Sequence, residues 1–361
     1  MVPRPTRVLA GLVFAASAAP LHAQTPPVEV QASANVVGQA TSEDDIRSEV
    51  VGSLDVFTNL RLGAVSVHAY VEANTTPRAA GVSSRIPFAN MDAGSALGAD
   101  GGGRVQLSEF RLAWDAGRWL TFHAGLMDLT GYLDVSRIAN DENLFFLGQP
   151  FVNNPTIVFP DYTLGAAVVA TLPQLPRGSL AVTASSSHGI ADNPSTSYGD
   201  LFHLRAPGKG VFLASRLQWE ADGWLGSIGG WTTDSEKSAG ASPRPLPTRG
   251  LYTVLGLTAG VHWLNGRLGV ASGSKGTEAF VGLTYLGTVG ANALGVGVAR
   301  TPGLPSFVDR QSEHAEAFLR RSIRDVVYLT SSVQWLSEEL LESRSSSEGI
   351  WIFGFRLSAA L

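Results

Sequence analysis

Apolar and polar residues alternate along most of this chain in runs of roughly ten, which predicts antiparallel strands with one apolar and one wetted face. Leu54, Val56, Leu60 and Leu62 share a face, and Asp55, Asn59 and Arg61 share the other. Beyond Gly63, Val65, Val67, Ala69 and Val71 alternate with Ser66, His68, Tyr70 and Glu72. Phe110, Leu112 and Trp114 oppose Glu109 and Arg111; Leu120, Phe122, Ala124 and Leu126 oppose Thr121 and His123. Val211, Leu213, Leu217 and Trp219 oppose Arg216, Gln218 and Glu220. Leu255, Leu257, Ala259, Val261 and Trp263 form one further apolar face, with a hairpin expected at Asn265-Gly266. Ala315, Ala317 and Leu319 oppose Glu316 and Arg320, and Val327, Leu329, Val333 and Trp335 oppose Tyr328, Thr330 and Gln334. The clearest run is the last, where Trp351, Phe353, Phe355 and Leu357 alternate with Gly354, Arg356 and Ser358.

Residues 28–38 make a weak first strand, and the count comes to about 16, an even number as a closed antiparallel barrel in a bacterial outer membrane requires. The connections sort by length. Turns at Gly63, Ala116-Gly117, Asp222-Gly223, Asn265-Gly266, Val289-Gly290 and Arg324 are short and fall at one end. The stretches 75–102, 129–160, 189–208, 235–248, 300–311 and 337–348 are long and fall at the other. Short periplasmic turns and long outer loops are the expected asymmetry of a transmembrane barrel. Tryptophans agree: Trp114, Trp119, Trp219, Trp224 and Trp263 lie at turn ends, and Trp231, Trp335 and Trp351 towards loop ends, as two aromatic girdles would.

Composition narrows the class. Only 16% of residues are charged, against about 25% in an average globular protein, and 40 of 361 are glycine. No apolar run approaches the roughly 20 residues of a spanning helix, so a membrane protein of this composition must cross with strands. A net charge of −5 without Lys/Arg clusters excludes a phosphate-tracking surface, so no nucleic-acid partner is expected. Cysteine is absent, which removes thiol chemistry and Cys-based metal sites. Arg4 and Arg7, an apolar segment at residues 8–19, and Leu21-His22-Ala23 predict a secretory leader at 1–23, with the barrel at 24–361.

Motifs for catalysis are weak. Gly273-Ser274-Lys275-Gly276 lacks the spacing of a phosphate loop. The histidines never fall at metal-ligand spacing, and no GxSxG marks a hydrolase, so neither enzyme chemistry nor a cofactor or metal is expected. The informative stretch is 129–160, too long and polar for a passive connection. Asp134, Arg137, Asn140, Asp141, Glu142 and Asn143 crowd its first half, and Asn153 and Asn154 its second. Folded into the lumen, such carboxylates and amides would replace the hydration of a polar solute in transit. The wall would face them with His68, Glu72, Glu109, Arg111, Arg216, Arg320 and Arg356. Phe57, Phe212, Phe280 and Phe318 also fall on inward faces and leave a plugged, non-conducting barrel open.

These residues resemble the OprB-type carbohydrate-selective porin family. The resemblance runs through Ala124-Gly125-Leu126-Met127-Asp128, Tyr132-Leu133-Asp134, Ala139-Asn140-Asp141-Glu142-Asn143 and the run from Phe151 through Asn153-Asn154-Pro155 to Pro160. A second stretch, 313–335, and Phe353-Gly354-Phe355-Arg356-Leu357 resemble its final strands, although Leu361 stands where a terminal Phe is usual. The resemblance implies a 16-stranded outer-membrane barrel passing sugars passively, with its third outer loop in the lumen; such a barrel sits in outer-membrane lipid, and monomer and homotrimer both stay open. It places Asp134, Asn140, Asp141, Glu142, Asn153 and Asn154 at or near the constriction. A general or anion-leaning porin, or a barrel enzyme of lipase or protease type, are the alternatives.

Overall fold

The computed structural model describes residues 27–138, 140–191, 196–204, 210–233, 249–272, 277–301, 312–337 and 349–360. The expected leader at 1–23, the 235–248 loop, the 273–276 stretch, Ala139 and Leu361 lie outside the described residues, as do parts of other loops.

Sixteen strands close into an antiparallel up-and-down barrel. The first quarter of the wall is β1 (Val28–Thr41), β2 (Glu49–Leu62), β3 (Val65–Asn74) and β4 (Val105–Asp115). Next come β5 (Leu120–Met127), β6 (Thr163–Leu172), β7 (Gly178–Ser186) and β8 (Val211–Ala221). They are followed by β9 (Trp224–Thr233), β10 (Arg249–Ala259), β11 (His262–Ser272) and β12 (Ala279–Val289). The wall ends with β13 (Asn292–Thr301), β14 (Ser312–Arg324), β15 (Val327–Leu336) and β16 (Ile350–Ala360). Each strand pairs with the next, and β1 closes on β16 from Ser33↔Ala360 to Thr41↔Ile352. The weak first run is thus a full strand of 14 residues, held by pairing on both edges rather than by its own pattern. A ten-residue strand rises about 33 Å, enough when tilted to cross an apolar band about 25 Å tall.

The alternation sorts as the sequence predicts. Leu54, Phe110, Leu112, Leu213, Val281, Leu319, Phe353 and Phe355 lie exposed on the outer face. His68, Glu72, Arg111, Arg216, Arg320 and Arg356 are buried on the inner one. One hairpin differs. Asn265 and Gly266 lie inside β11, and the turn is at Gly260, whose φ of +60° suits glycine, and Val261. The Asn-Gly dipeptide is overruled because β10 and β11 stay in register from Arg249↔Ser272 to Ala259↔His262. Trp263 therefore points inward, opposite Leu286 and against the cluster that holds Ile138, and not into a girdle. Trp231 is also internal, 4% exposed and stacked on Phe212. Trp114, Trp119, Trp219, Trp224 and Trp351 are exposed as expected.

β4 outruns β5, whose pairing begins only at Phe110↔Leu126. The bare edge is closed by a short turn of helix from the fourth loop (187–210): Tyr198 Oη donates to Leu107 O (2.9 Å) and accepts from Leu107 N–H (3.0 Å). Tyr198→Phe removes both bonds, and we expect faster hydrogen exchange at the Leu107 amide and a loss of about 1 kcal/mol. Unchanged exchange at Leu107 would mean that the edge is sealed by other contacts.

Candidate functional site

The third loop, residues 128–162, leaves β5 and crosses the lumen instead of rising away from the wall. Apolar side chains seat it. Met127, Leu129, Leu133 and Ile157 pack with Phe212, Trp231 and Tyr252 of β8, β9 and β10. Ile138, Phe146 and Phe151 pack with Phe280, Leu286 and Phe318 of β12 and β14. The wall makes room with small residues. A Cβ on Gly297 of β13 would stand 2.8 Å from the Phe151 ring, and one on Gly269 of β11 would stand 1.9 Å from Thr156 Oγ1. All four aromatic residues expected on the inward face are internal; Phe57, the fourth, stacks on Tyr70 at 4.0 Å.

Polar anchors finish the attachment. At the base, Arg267 of β11 donates through Nη1 to Asp134 Oδ2 (2.7 Å) and through Nη2 to Pro150 O (2.6 Å). Asn154 N–H donates to the same Asp134 oxygen (2.7 Å), and its side-chain amide donates to Leu268 O (3.1 Å). Arg137 meets Glu220 and donates to Thr258 Oγ1 (2.9 Å). Asn140, in left-handed backbone at φ +63°, donates to Asn153 Oδ1 (2.7 Å). At the tip, Glu316 of β14 accepts from Leu147 and Gly148 N–H (3.0 and 2.8 Å). Arg320 and Arg356 donate to the carbonyls of Leu144, Glu142 and Phe145. Asn143 donates to Asp55 Oδ2 (3.0 Å) and accepts from Asn35.

The predicted residues thus fall into separate groups. Asp134, Arg137 and Asn154 gather with the β8–β11 wall at the loop's base. Asp141, Glu142 and Asn143 gather at its tip, facing Arg320, Arg356 and Asp55. On β3–β5, Glu109 lies 3.6 Å from His68 and 3.4 Å from Arg111, which contacts His123 at 3.1 Å. Glu72 accepts from Ser108, the bulged residue of β4.

Two features are additional. Arg267 was hidden by the misplaced hairpin, which set it beside a turn at the start of a short segment reaching Ala271, whereas it stands in the middle of β11. The second loop, 75–104, also folds inward: Val82, Ile86 and Ala89 pack on Leu336, Ile350 and Ile352. Gln334 and Gln39 donate to Ala89 O, Ser53 donates to Asp92, and Met91 N–H donates to Leu147 O (3.0 Å), joining the two loops. The apolar run Ile86-Pro87-Phe88-Ala89 inside a glycine-rich connection was the available signal.

Crowding of carboxylates sets the electrostatics of the tip. Burial, with the nearby charges of Asp92, Asp55 and Asp141, pushes the Glu142 carboxyl up to about 8. Burial and Asp55 push Asp92 up to about 7.

A closed sixteen-stranded barrel with loops folded into its lumen is a porin-type barrel. Solved structures agree. A high-pH structure of Pseudomonas putida OprB is similar with a TM-score of 0.65 and 14% identity, over 93% of this chain and 94% of that one. A mutant of Rh. blastica porin gives 0.56 and 11%, over 92% and 99%. Outer-membrane expressed OmpT of Vibrio cholerae gives 0.56 and 9%, over 92% and 97%. No protein-family model and no curated protein matches the sequence.

Proposed function

We propose that this protein is an outer-membrane porin that lets sugars and other small polar solutes diffuse passively past its third loop. The observation that carries this reading is the loop tip. Asp141, Glu142 and Asn143 are held in the lumen by Arg320, Arg356 and Ser358, with the acceptors of Asp55 and Asp92 opposite. Carboxylates and amides held at a narrow section exchange hydrogen bonds with hydroxyls and replace lost hydration. The porin-type fold and the likeness to OprB support the same reading, and the chain would then work in outer-membrane lipid as a monomer or homotrimer. A general or anion-leaning pore is favoured less, because Arg320 and Arg356 are both engaged by loop carbonyls.

Single-channel recording in a planar bilayer, with glucose and maltose titrated against KCl current, tests this. We expect open channels and saturable block by sugar. Asp141→Ala with Glu142→Ala is expected to lower cation preference and weaken the block while the barrel stays folded. A folded barrel that conducts nothing would sink the porin reading, and turn attention to the apolar cluster at Phe146 and Phe318 as a plug.

A further inference from the structure

On the outer face of the wall, near the loop ends of β12–β15, an open hollow of about 280 Å³ interrupts the apolar surface. Val281 and Leu283 of β12 wall one side and Trp335 of β15 the other, with Val298 and Ala315 between them. Register explains the shape. Leu283, Val298, Ala315 and Trp335 stand side by side in one row across four strands. Ala315 is the low point of that row, a methyl group between a valine and an indole. The next outward position down β14 is again an alanine, Ala317, between Val296 and Val333. A furrow therefore runs from the hollow towards the middle of the apolar band.

Above it, one row nearer the loops, Val281, Arg300 and Glu313 lie abreast. Arg300 is half exposed, and its Nε stands 3.7 Å from Glu313 Oε1, a loose ion pair longer than a hydrogen bond. Trp335 pairs with the exposed Trp351 in the adjoining row, and such indoles mark the boundary between hydrocarbon and headgroups. Arg300 thus sits at headgroup level with an apolar furrow directly below it.

These features limit the occupant. β13 and β15 flank β14 two strand spacings of about 4.8 Å apart. A helix with its side chains, about 10–12 Å across, is too wide for that gap, whereas one acyl chain fits it. Hydrocarbon alone would offer Arg300 nothing. A guanidinium matches phosphate with two parallel hydrogen bonds, and a carboxylate beside it accepts from hydroxyls. A sugar phosphate bearing acyl chains supplies all three, and the long loops put this end of the barrel in the outer leaflet.

We propose that the hollow binds one phosphorylated glycolipid of the outer leaflet, with its phosphate on Arg300 and an acyl chain along Ala315 and Ala317. The site rests on the outer-membrane placement of the barrel and is independent of what passes through the lumen.

Native mass spectrometry of the purified barrel in neutral detergent tests this by counting bound lipid. The probes are phosphorylated lipid A, its dephosphorylated form and dioleoylphosphatidylglycerol. The proteins are wild type, Arg300→Gln and Ala315→Leu, each checked for folding by heat-modifiable electrophoretic mobility. We expect one lipid A per wild-type barrel, with a Kd about tenfold higher in Arg300→Gln and for the dephosphorylated probe. Ala315→Leu fills the hollow and should retain none. If Arg300→Gln does not fold, Ala315→Leu and the dephosphorylated probe decide the matter. Equal retention in wild type and both variants would overturn the site. Equal binding of the phosphorylated and dephosphorylated forms would overturn the assignment of phosphate to Arg300. Phosphatidylglycerol bound as tightly as lipid A would overturn the glycolipid in favour of any phosphate lipid. A wild-type oligomer that Ala315→Leu breaks would make the hollow a contact between copies and overturn the lipid reading.

Discussion

Arg267→Ala is expected to release the third loop from the barrel wall, raising single-channel conductance and lowering the unfolding midpoint. Arg267 is almost fully buried, and its guanidinium holds Asp134, Pro150 O and Val152 O at once. Removing it leaves the Asp134 carboxylate at 0% exposure, with only the Asn154 N–H on its charged oxygen. Breaking one partner out of a buried ion pair costs about 3–5 kcal/mol, most of it the penalty of the charge left behind. That penalty falls on the loop, because the sixteen-strand ladder does not pass through Arg267's side chain. The loop therefore detaches before the wall unfolds. Arg267→Met combined with Asp134→Leu removes both charges, so it should be much less destabilised than the two single changes added together. Single-channel recording and calorimetry of wild type, Arg267→Ala, Arg267→Met, Asp134→Leu and the double variant check this. An unaltered conductance in Arg267→Ala would show that the apolar seats alone hold the loop in place.

Glu142 should make ion selectivity depend on pH. With its carboxyl pushed up to about 8, the group is mostly neutral at pH 7 and mostly charged by pH 9. Cation preference, read from the reversal potential in a KCl gradient, is expected to grow across that interval. Glu142→Gln should flatten the rise. The same displacement acts on stability. The folded chain holds this proton more tightly than the unfolded one, where the group titrates near its ordinary value of 4.5. Its contribution is therefore intact below about 4.5 and is lost as pH climbs towards 8. Asp92, pushed up to about 7, acts in the same direction. The unfolding midpoint should fall with rising pH in that window, and fall less in Glu142→Gln. A reversal potential indifferent to pH in wild type would place Glu142 away from the ion path.

Much of the wall was legible. Strand positions, the inward arginines and carboxylates and the division into short turns and long loops follow from a period of two, which only one apolar surroundings outside and a polar lumen inside can maintain. Sequence and structure part where two local preferences compete. Asn265-Gly266 is a strong hairpin dipeptide, yet pairing along the whole of β10 and β11 outweighs one turn, and Trp263 and Arg267 change place with it. Trp231 failed for a related reason: a tryptophan near a strand end serves a girdle or a core equally well by composition, and only the loop packed against it selects the core.

The sequence by itself determined the closed barrel, because alternation is a property of each strand and needs no knowledge of its neighbours. It also marked the third loop as unusual. What only the tertiary structure decided is how that loop is held and what meets it. The Arg267–Asp134 pair spans 133 residues, the Met91–Leu147 bond joins two separate loops, and the Gly229 gap receives a tyrosine from the next strand. Each depends on curvature bringing distant positions to one face of a closed wall. Local pattern carries no term for that closure.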